Sequence, residues 1–204
     1  MTKAETKQDK EEKLENGNGD YKPANPSGKT VNIEALKEMK IGDTIYATQL
    51  GGDFLLPNNK NKNIIMIAGG IGITPFISQL RYLLKQKTKE KENASIALFY
   101  CVRLVKDIVY SDLLKQSVDE LGLKVIYVVS EKIEDTNEIE KINYTNSFYE
   151  SGYINKDILN KYTQNLHNEY YISGPNMMVE LTKKILLEAK NKVRNIHTDY
   201  FPGF

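Results

Sequence analysis

The chain has 204 residues, of which 40% are hydrophobic and 27% are charged, and its formal net charge is +1 at pH 7. This length and composition support a real core in one large domain or in one and a half ordinary ones. A net charge so close to zero gives no electrostatic reason to expect nucleic-acid or membrane partners. No apolar run reaches the ~18 residues of a transmembrane helix and the N-terminus has no apolar signal core, so a cytoplasmic protein is expected.

The sequence offers few residues for metal or disulfide chemistry. Cys101 is the only cysteine, which excludes an intrachain disulfide and a cysteine metal cluster. The two histidines, His167 and His197, are too few for a histidine-rich metal site, and we interpret both as surface or packing residues. No metal site is therefore expected.

The N-terminal part of the chain is polar and has little apolar surface to bury. Residues 1–29 are expected to form a disordered or irregular tail, because such a composition cannot offset the entropy lost on ordering. Asn32 can cap a short helix at residues 33–39, and residues 44–49 alternate in the manner of a strand. The Asn-rich loop at residues 58–63 then marks a domain boundary.

Residues 63–84 carry the most informative pattern in the chain. Ile64–Ala68 is a short apolar run, mostly β-branched, of the kind that is buried on both faces of a parallel sheet. Three glycines then turn the chain and leave bare backbone N–H groups: Gly69, Gly70 and Gly72. A strand, a glycine turn and a helix N-terminus together form a seat for a pyrophosphate, because unpaired amides and the helix dipole face the anion.

The helix after this turn is predicted from its first residues and its apolar spacing. Thr74 is expected to cap it, and Pro75 occupies its first turn, where a missing N–H costs nothing. Its apolar residues recur at helical spacing, so one face packs on the sheet: Phe76, Ile77, Leu80, Leu83 and Leu84. Proline also replaces the last glycine of the usual dinucleotide fingerprint, so the generic pattern alone is a weak signal.

From residue 63 onward, strand and helix patterns alternate, which predicts an open parallel five-stranded sheet with helices on both faces. The predicted strands are residues 64–68, 95–102, 124–129, 169–173 and 195–199. Helices are predicted at residues 107–121, at residues 157–166 and from residue 176 onward. Residues 131–152 are acidic and polar and are expected to form a long surface loop.

Two of these helices carry apolar residues whose burial can be predicted. Val109 is assigned to the buried side of the helix at residues 107–121, and Leu181 to the apolar face of the last helix. Met177 and Met178 suit a soft lining for a ligand, but core packing is the favoured interpretation.

Four motifs, in this order along the chain, resemble those of the ferredoxin–NADP reductase family of flavoprotein reductases. They are Gly42-Asp43 with Gln49-Leu-Gly-Gly-Asp-Phe-Leu-Leu-Pro57, Ala68-Gly-Gly-Ile-Gly-Ile-Thr-Pro75, Ser173-Gly-Pro-Asn-Met-Met178 and Ile196-His-Thr-Asp-Tyr-Phe-Pro-Gly-Phe204. The resemblance covers residues 42–204. It implies a two-domain enzyme in which a β-barrel binds FAD or FMN and an α/β domain binds NAD(P)H. Hydride passes from the nicotinamide to the flavin where the domains meet.

The resemblance also implies an electron acceptor, a ferredoxin- or flavodoxin-type protein or another acceptor, and a set of site residues. The residues expected to line the nucleotide crevice are Gly69, Gly70, Gly72, Thr74, Pro75, Gly174, Pro175 and Met177. Ser173 stands where many relatives have a cysteine near the reacting nicotinamide carbon, and serine can still hydrogen-bond there. Phe201 or Phe204 is expected to cover the flavin ring, with plain packing as the alternative.

The sequence gives opposing indications on whether the nucleotide is NADH or NADPH. After the second strand, an acidic residue would hold a ribose hydroxyl of the nucleotide. This chain has Arg103 there instead, which suggests a nucleotide with a 2′-phosphate. The third strand ends in Ser130 and Glu131, where NADPH-using relatives often have Ser-Arg. Glu131 repels a phosphate and suits a ribose diol, so the choice between NADH and NADPH stays open, with a slight preference for NADH.

The flavin domain is expected to be truncated. The family holds flavin with an Arg-x-Tyr-Ser type motif on an early barrel strand, and this chain has no arginine before Arg81. Residues 30–60 are interpreted as the remnant of an antiparallel flavin-binding β-barrel, and residues 61–204 as the NAD(P)-binding domain. Thr30 and Asn32, at a helix opening, can still hold a phosphate of FAD.

Three hypotheses about function remain. The first is an NAD(P)H-dependent flavin oxidoreductase that binds FAD weakly or with a partner chain that completes the barrel. The second is a non-catalytic NAD(P)-binding fragment. The third is a subunit whose exposed barrel edge pairs with another protein. We favour the first and leave its stand-alone activity open.

Overall fold

The computed structural model describes residues 37–43, 52–59, 61–86, 95–133, 136–163, 168–188 and 195–201. The chain divides into two units, residues 1–50 and 51–204. In the first unit Lys37 and Glu38 are helical, as the predicted helix at residues 33–39 requires, and the strand predicted at 44–49 lies outside the described residues. The predicted tail, the barrel remnant and the boundary near residue 60 stay predictions.

The second unit is built on one parallel sheet. Its strands are β1 (Asn63–Gly69), β2 (Ile96–Val102), β3 (Lys124–Val129), β4 (Ser147–Ser151), β5 (Asn168–Pro175) and β6 (Ile196–Phe201). All neighbouring strands pair in parallel, in the order β4-β3-β2-β1-β5-β6. The helices are α1 (Thr74–Gln86), α2 (Ser111–Leu121), α3 (Thr136–Ile142), α4 (Lys156–Tyr162) and α5 (Asn176–Glu188), and Gly70–Ile73 and Val105–Asp107 are short 3-10 turns. The predicted parallel α/β fold is confirmed.

The sheet has six strands in the described residues, so the prediction of five strands is wrong. The additional strand β4, preceded by α3, lies within residues 131–152, which were expected to form a loop. β4 is an edge strand with only half-buried or exposed residues, so it lacks the continuous apolar run of a central parallel strand. Its start is fixed locally, because Ser147 Oγ accepts from the N–H of Tyr144 at 2.7 Å and donates to the Ile142 carbonyl at 2.6 Å.

Helices cover both faces of the sheet, as predicted. On one face, the even-numbered residues of β1 pack with α1, α2 and α3 in a core that includes Phe76, Leu114 and Ile142. On the other face, Ile65 and Ile67 of β1 pack with α4 and α5. Burial of the central strands on both sides explains their near-continuous apolar sequences.

Local differences from the predicted helices have physical causes. The second helix begins at Ser111 instead of residue 107, and Val109 is 48% exposed, so its assignment to the buried side is wrong. Leu181, assigned to the apolar face of the last helix, is also exposed. The backbone before α2 is redirected at Tyr110, which has a φ of 60°. Asn155 caps α4, because its side-chain oxygen accepts from the N–H groups of Asp157 and Ile158 at 3.0 Å.

The strand order creates a crevice at the centre of the sheet. From β1 the chain proceeds outward through β2, β3 and β4, and then returns to β5 on the opposite side of β1. The connections that leave the carboxyl ends of β1 and β5 therefore run to opposite faces, and ligands of open α/β sheets bind at such a switch point. No helix in the described part of the chain is long and apolar enough to cross a membrane.

Candidate dinucleotide-binding site

The floor of the crevice is a close approach of two backbones. A Cβ on Gly72 would overlap the carbonyl group of Ser173, and a Cβ on Gly174 would lie 3.1 Å from the Cα and the N of Gly69. The first contact joins the turn after β1 to the end of β5, and the second joins the last residue of β1 to the end of β5. Only glycine permits this packing. The glycines predicted to bind the cofactor therefore have a structural role, because they allow the two strand ends to pack together.

Gly70 occupies a different environment from its neighbours. Its φ is +52°, it is exposed, and a Cβ built on it would meet no atom within 4 Å. It opens the 3-10 turn Gly70–Ile73, after which α1 begins. The space beside Gly70 is therefore open to a ligand.

Thr74 does not cap α1 in the predicted way. It is the first residue of the helix, and its hydroxyl donates to the carbonyl of Ile71 at 3.0 Å instead of accepting a helix N–H. Pro75 occupies the first turn, as predicted. The N–H of Thr74 also donates to the Ile71 carbonyl, so the 3-10 turn and α1 follow each other without a break. The N–H groups without an intrahelical partner are therefore expected at the start of the 3-10 turn.

Two helix N-termini border the crevice, those of α1 and α5. Both helices have 13 residues, and neither first turn carries an acidic residue. A helix N-terminus carries roughly half a positive charge, so the absence of carboxylates from these two turns favours an anionic ligand.

Ser173 is the buried polar residue of the crevice. Its side chain is fully buried, and its Oγ has no hydrogen-bond partner among the described residues. A buried hydroxyl left unpaired costs about 1–3 kcal/mol, so an added polar group at this position would be stabilising. In the sheet register Ser173 lies between Ala68 of β1 and Asp199 of β6, and sequence reasoning did not single out Asp199.

The two methionines at the start of α5 differ in burial. Met177 is 85% exposed, so the interpretation of this residue as core packing is wrong. Met178 is half-buried and packs against the core on the α5 side of the sheet, and its thioether lies beside Gly69 and Gly174. Met177 is thus an apolar side chain free to contact a ligand at the N-terminus of α5.

The other predicted nucleotide residues lie at the same edge of the sheet, farther along it. Arg103 follows β2, and Ser130 and Glu131 follow β3. Arg103 Nε lies 2.9 Å from Glu131 Oε1, so the two residues with opposing indications form an ion pair. Phe201 ends β6 in register with Pro175 and is half-buried, whereas Thr30, Asn32 and Phe204 lie outside the described residues.

A segment before β1 packs against the domain in a way that sequence reasoning missed. In this segment, residues 52–59, which we call the strap, Phe54 contacts the rings of Phe76 and Tyr171 at centroid distances of 5.6 and 5.4 Å. The Tyr171 hydroxyl donates to the Leu55 carbonyl at 2.8 Å, and Gln79 Nε2 donates to the Phe54 carbonyl at 3.0 Å. The apolar run Phe54–Pro57 was the available signal.

A cavity of about 690 Å³ lies between the strap and α1, lined mostly by apolar side chains. Leu55 and Tyr82 line it and are 69% and 55% exposed. No group of three or more His, Cys, Asp or Glu side chains in the described part of the chain is placed to hold a metal ion.

A second polar cluster lies near the amino ends of β5 and β6. The buried carboxylate of Glu169 accepts from Lys62 Nζ and from Asn195 Nδ2, the latter at 3.0 Å, and lies 3.2 Å from His197 Nε2. Burial raises the pKa of this carboxyl, but the hydrogen bonds from Lys62 and His197 outweigh burial and leave the pKa below its usual value. The His197 ring stacks on Tyr171 at 4.5 Å, which fits the packing role expected for it.

Comparison with known proteins adds independent information. The family described as oxidoreductase NAD-binding domain matches residues 66–184, more than half of the chain. Flavohemoprotein B of Dictyostelium discoideum is 28% identical over 174 residues, which are 80% of this chain and 36% of that protein. The apicoplast ferredoxin–NADP reductase of Plasmodium falciparum is 33% identical over 156 residues, which are 68% of this chain and 39% of that protein.

Among solved structures, the ferredoxin-NADP+ reductase from Plasmodium falciparum is similar with a TM-score of 0.59 and 26% identity, over 81% of this chain and 64% of that one. The chain spans less than half the length of the curated relatives it matches.

Proposed function

Because the chain belongs to the family of oxidoreductase NAD-binding domains, we propose that it binds NAD(P)H in the crevice between β1 and β5. We further propose that the electrons pass through a flavin, FAD, to a ferredoxin- or flavodoxin-type protein or another acceptor. The observation that carries the proposal is the buried Ser173 hydroxyl, which has no hydrogen-bond partner among the described residues and belongs to the same residue whose carbonyl Gly72 packs against, at the switch point of the sheet.

The residues of the crevice fit a dinucleotide. Gly70 offers open space beside the N–H groups of the 3-10 turn and of α1, which would hold the pyrophosphate. Pro175 and Met177, at the start of α5, would border the nicotinamide. When bound, the nicotinamide supplies a hydride.

The chain's own residues position this group and shield it. Ser173 Oγ would hydrogen-bond a polar atom of the bound nucleotide and orient it, because the hydroxyl is buried near the end of β5 and has no partner among the described residues. The exposed thioether of Met177 would exclude water from one side of the nucleotide. Gly69 and Gly174 keep the strand ends together, so these groups stay in place before the nucleotide arrives.

The flavin needs more protein than the described residues supply. Phe201, at the end of β6, is the candidate for covering the flavin ring among the described residues, with Phe204 as the other candidate. Thr30 and Asn32 are proposed to hold a phosphate of FAD. We propose that further protein, in a partner chain, completes the flavin-binding barrel. A non-catalytic NAD(P)-binding fragment or subunit is the alternative.

The visible absorption spectrum of the purified protein with added FAD, before and after NADH or NADPH, tests the function. A bound flavin band that bleaches with a reduced nucleotide supports the oxidoreductase. Nucleotide binding without bound flavin, measured by calorimetry, leaves the fragment or subunit and contradicts stand-alone activity.

A matched pair of variants tests the nucleotide site itself. Both Gly70→Asn and Gly70→Asp place a side chain of nearly the same shape at a position whose φ these residues tolerate. The aspartate adds a negative charge beside the proposed pyrophosphate, so we expect Gly70→Asp to bind nucleotide far more weakly than Gly70→Asn. Equal affinities for the two variants would show that the pyrophosphate does not lie at this turn.

A further inference from the structure

The cavity between the strap and α1 lies apart from the crevice between β1 and β5. It has a volume of about 690 Å³ and reaches Ile64 and Ile96, near the amino ends of β1 and β2, whereas the crevice lies at the carboxyl ends. Pro75 is the only described lining residue that the proposed nucleotide site also uses. The volume is ordinary for a small-molecule site, for which roughly 300–1,000 Å³ is typical.

Both walls of this cavity leave apolar surface uncovered. Leu55 of the strap and Tyr82 of α1 line it and are both exposed. Removal of such surface from water is favourable, so an occupant with an apolar body would be stabilised from two sides. Hydrogen bonds from Gln79 to the Phe54 carbonyl and from Tyr171 to the Leu55 carbonyl hold the strap in place. The wall that the strap forms is therefore present before a ligand enters.

The charges at the cavity favour a neutral occupant. Lys62 is the only charged side chain among the described lining residues, and its ammonium already binds the buried carboxylate of Glu169. The other polar lining residues carry amides or hydroxyls: Asn58, Asn59, Ser78, Gln79, Tyr82 and Gln86. An ionic ligand would lose its hydration here without gaining a free partner of opposite charge.

One atom of the lining lacks a hydrogen-bond donor. Gln79 Nε2 donates to the Phe54 carbonyl at 3.0 Å, whereas Gln79 Oε1 is buried and has no hydrogen-bond partner among the described residues. The carbonyl fixes the orientation of the amide, because only Nε2 can donate to it. A buried acceptor without a donor is unfavourable, so a ligand N–H or O–H group that reaches Oε1 from the cavity would be stabilising.

We propose that the cavity between the strap and α1 binds a neutral small molecule with an aromatic body and one N–H or O–H group, which donates to Gln79 Oε1. The body lies between Leu55 and Tyr82, where an aromatic ring can pack on the tyrosine. The hydrogen bond fixes its orientation. This site goes beyond the proposed binding of NAD(P)H and does not depend on it.

A fluorescence titration of the whole chain tests the site. The probe is N-phenyl-1-naphthylamine, a neutral aromatic amine with one N–H group, whose emission rises when it leaves water. We expect a saturable increase with the wild-type protein. Leu55→Ala removes apolar surface from the wall and should weaken binding roughly fivefold. Because Leu55 is exposed, this variant should keep the wild-type urea midpoint of unfolding.

Leu187→Ala is the matched control. Leu187 is also an exposed leucine, but it lies on α5, which packs on the opposite face of the sheet from α1. The control should leave the affinity for the probe within about twofold of the wild type, as expected for an exposed position outside the site. Equal losses of affinity in Leu55→Ala and Leu187→Ala would show that the probe does not bind at the strap, and would overturn the inference.

Two analogues of the probe test the chemistry of the site. 1-Benzylnaphthalene has a CH₂ group in place of the N–H and should compete about two- to tenfold more weakly, as expected for the loss of one hydrogen bond. 1-Anilinonaphthalene-8-sulfonate adds a negative charge to the same rings and should also bind more weakly. Binding of either analogue as tight as that of the probe overturns the inference.

The outcomes separate this site from the proposed function. Added NAD+ should leave the affinity for the probe within about twofold, because the crevice and the cavity share only Pro75 among their described residues. Displacement of the probe by NAD+, or no saturable fluorescence increase with the wild-type protein, overturns the inference. The contrast between Leu55→Ala and Leu187→Ala uses no nucleotide, so it decides the inference even if the chain does not bind NAD(P)H.

Discussion

Gly72 lies so close to Ser173 that a Cβ on residue 72 would overlap the carbonyl group of Ser173 and come within 2.7 Å of the N of Gly174. These neighbours are backbone atoms of a central strand, so they cannot rotate away. Gly72→Ala must therefore separate the turn after β1 from β5, and overpacking of this kind costs about 1–3 kcal/mol.

We expect Gly72→Ala to lower the urea midpoint of unfolding and to weaken nucleotide binding in calorimetry. Ser78→Ala, an exposed position on α1, is the control and should change neither property. A Gly72→Ala protein with wild-type stability would mean that the two backbones do not pack in this way.

Met177 and Met178 provide a paired test of burial against binding. Met177 is 85% exposed, so Met177→Ala should change the free energy of unfolding by no more than about 0.5 kcal/mol. The same variant should bind nucleotide more weakly, since it removes an apolar contact from the crevice. Met178→Ala removes a side chain that packs beside Gly69 and Gly174, and should destabilise the fold by about 1–2 kcal/mol. Equal effects of the two variants on stability would contradict the difference in burial.

The sequence was sufficient to predict the parallel sheet and the turn after β1. Residues such as Ile65 and Ile67 are buried on one face and Met66 on the other, so the strand reads as a continuous apolar run. The role of the glycines in the turn was predicted from the same local chemistry, because few other residues allow a tight turn between a strand and a helix.

Long-range contacts were not predictable in the same way. β4 has no apolar run because it lies at the sheet edge, and the exposure of Met177 depends on α5 beginning at an open crevice. The ion pair of Arg103 with Glu131 depends on β2 and β3 being neighbours. In each case the missing information is which elements lie side by side.

The strap is attached to the domain by few polar contacts, and Tyr171 makes one of them. Tyr171→Phe keeps the ring that packs on Phe54 but removes the hydrogen bond to the Leu55 carbonyl. We expect a loss of about 1 kcal/mol in the free energy of unfolding, since an unpaired carbonyl must either remain buried or find water. Amide exchange in residues 52–59 should become faster. Unchanged exchange in this segment would show that the hydroxyl does not hold the strap.

Cys101 is expected to be unreactive in the folded protein. The Cys101 side chain is half-buried and packs against the core on the α4 and α5 side of the sheet, and burial of its thiol raises the pKa to about 12. Since the thiolate is the nucleophile, modification by a disulfide reagent at pH 8 should be slower than for an ordinary thiol by a factor on the order of 10³. The same protein in urea should react at the ordinary rate. Rapid labelling of the folded chain would contradict the burial.

Glu169 should make stability depend on pH in a defined direction. Burial raises the pKa of its carboxyl, but the hydrogen bonds from Lys62 and His197 lower it by more than burial raises it. The pKa in the folded state is therefore below the usual value of 4.5. A group whose folded pKa is depressed stabilises the fold above its unfolded pKa, and that contribution is lost as pH falls through the folded pKa. The folded protein is therefore expected to lose this stabilisation at acidic pH, starting near pH 4.5 and continuing as the pH falls.

Unfolding in urea at several pH values, for the wild type and for Glu169→Gln, measures this contribution directly. At pH 7 the variant should be less stable by about 2 kcal/mol, because hydrogen bonds to a charged group contribute roughly 1.5–3 kcal/mol. The difference from the wild type should narrow as the pH falls below about 4.5, where the wild-type carboxyl gains its proton. Glu188→Gln, at an exposed position at the end of α5, should show a small difference at every pH. A gap between wild type and Glu169→Gln that stays constant down to strongly acidic pH would mean that the carboxylate charge does not hold Lys62 and His197 in place.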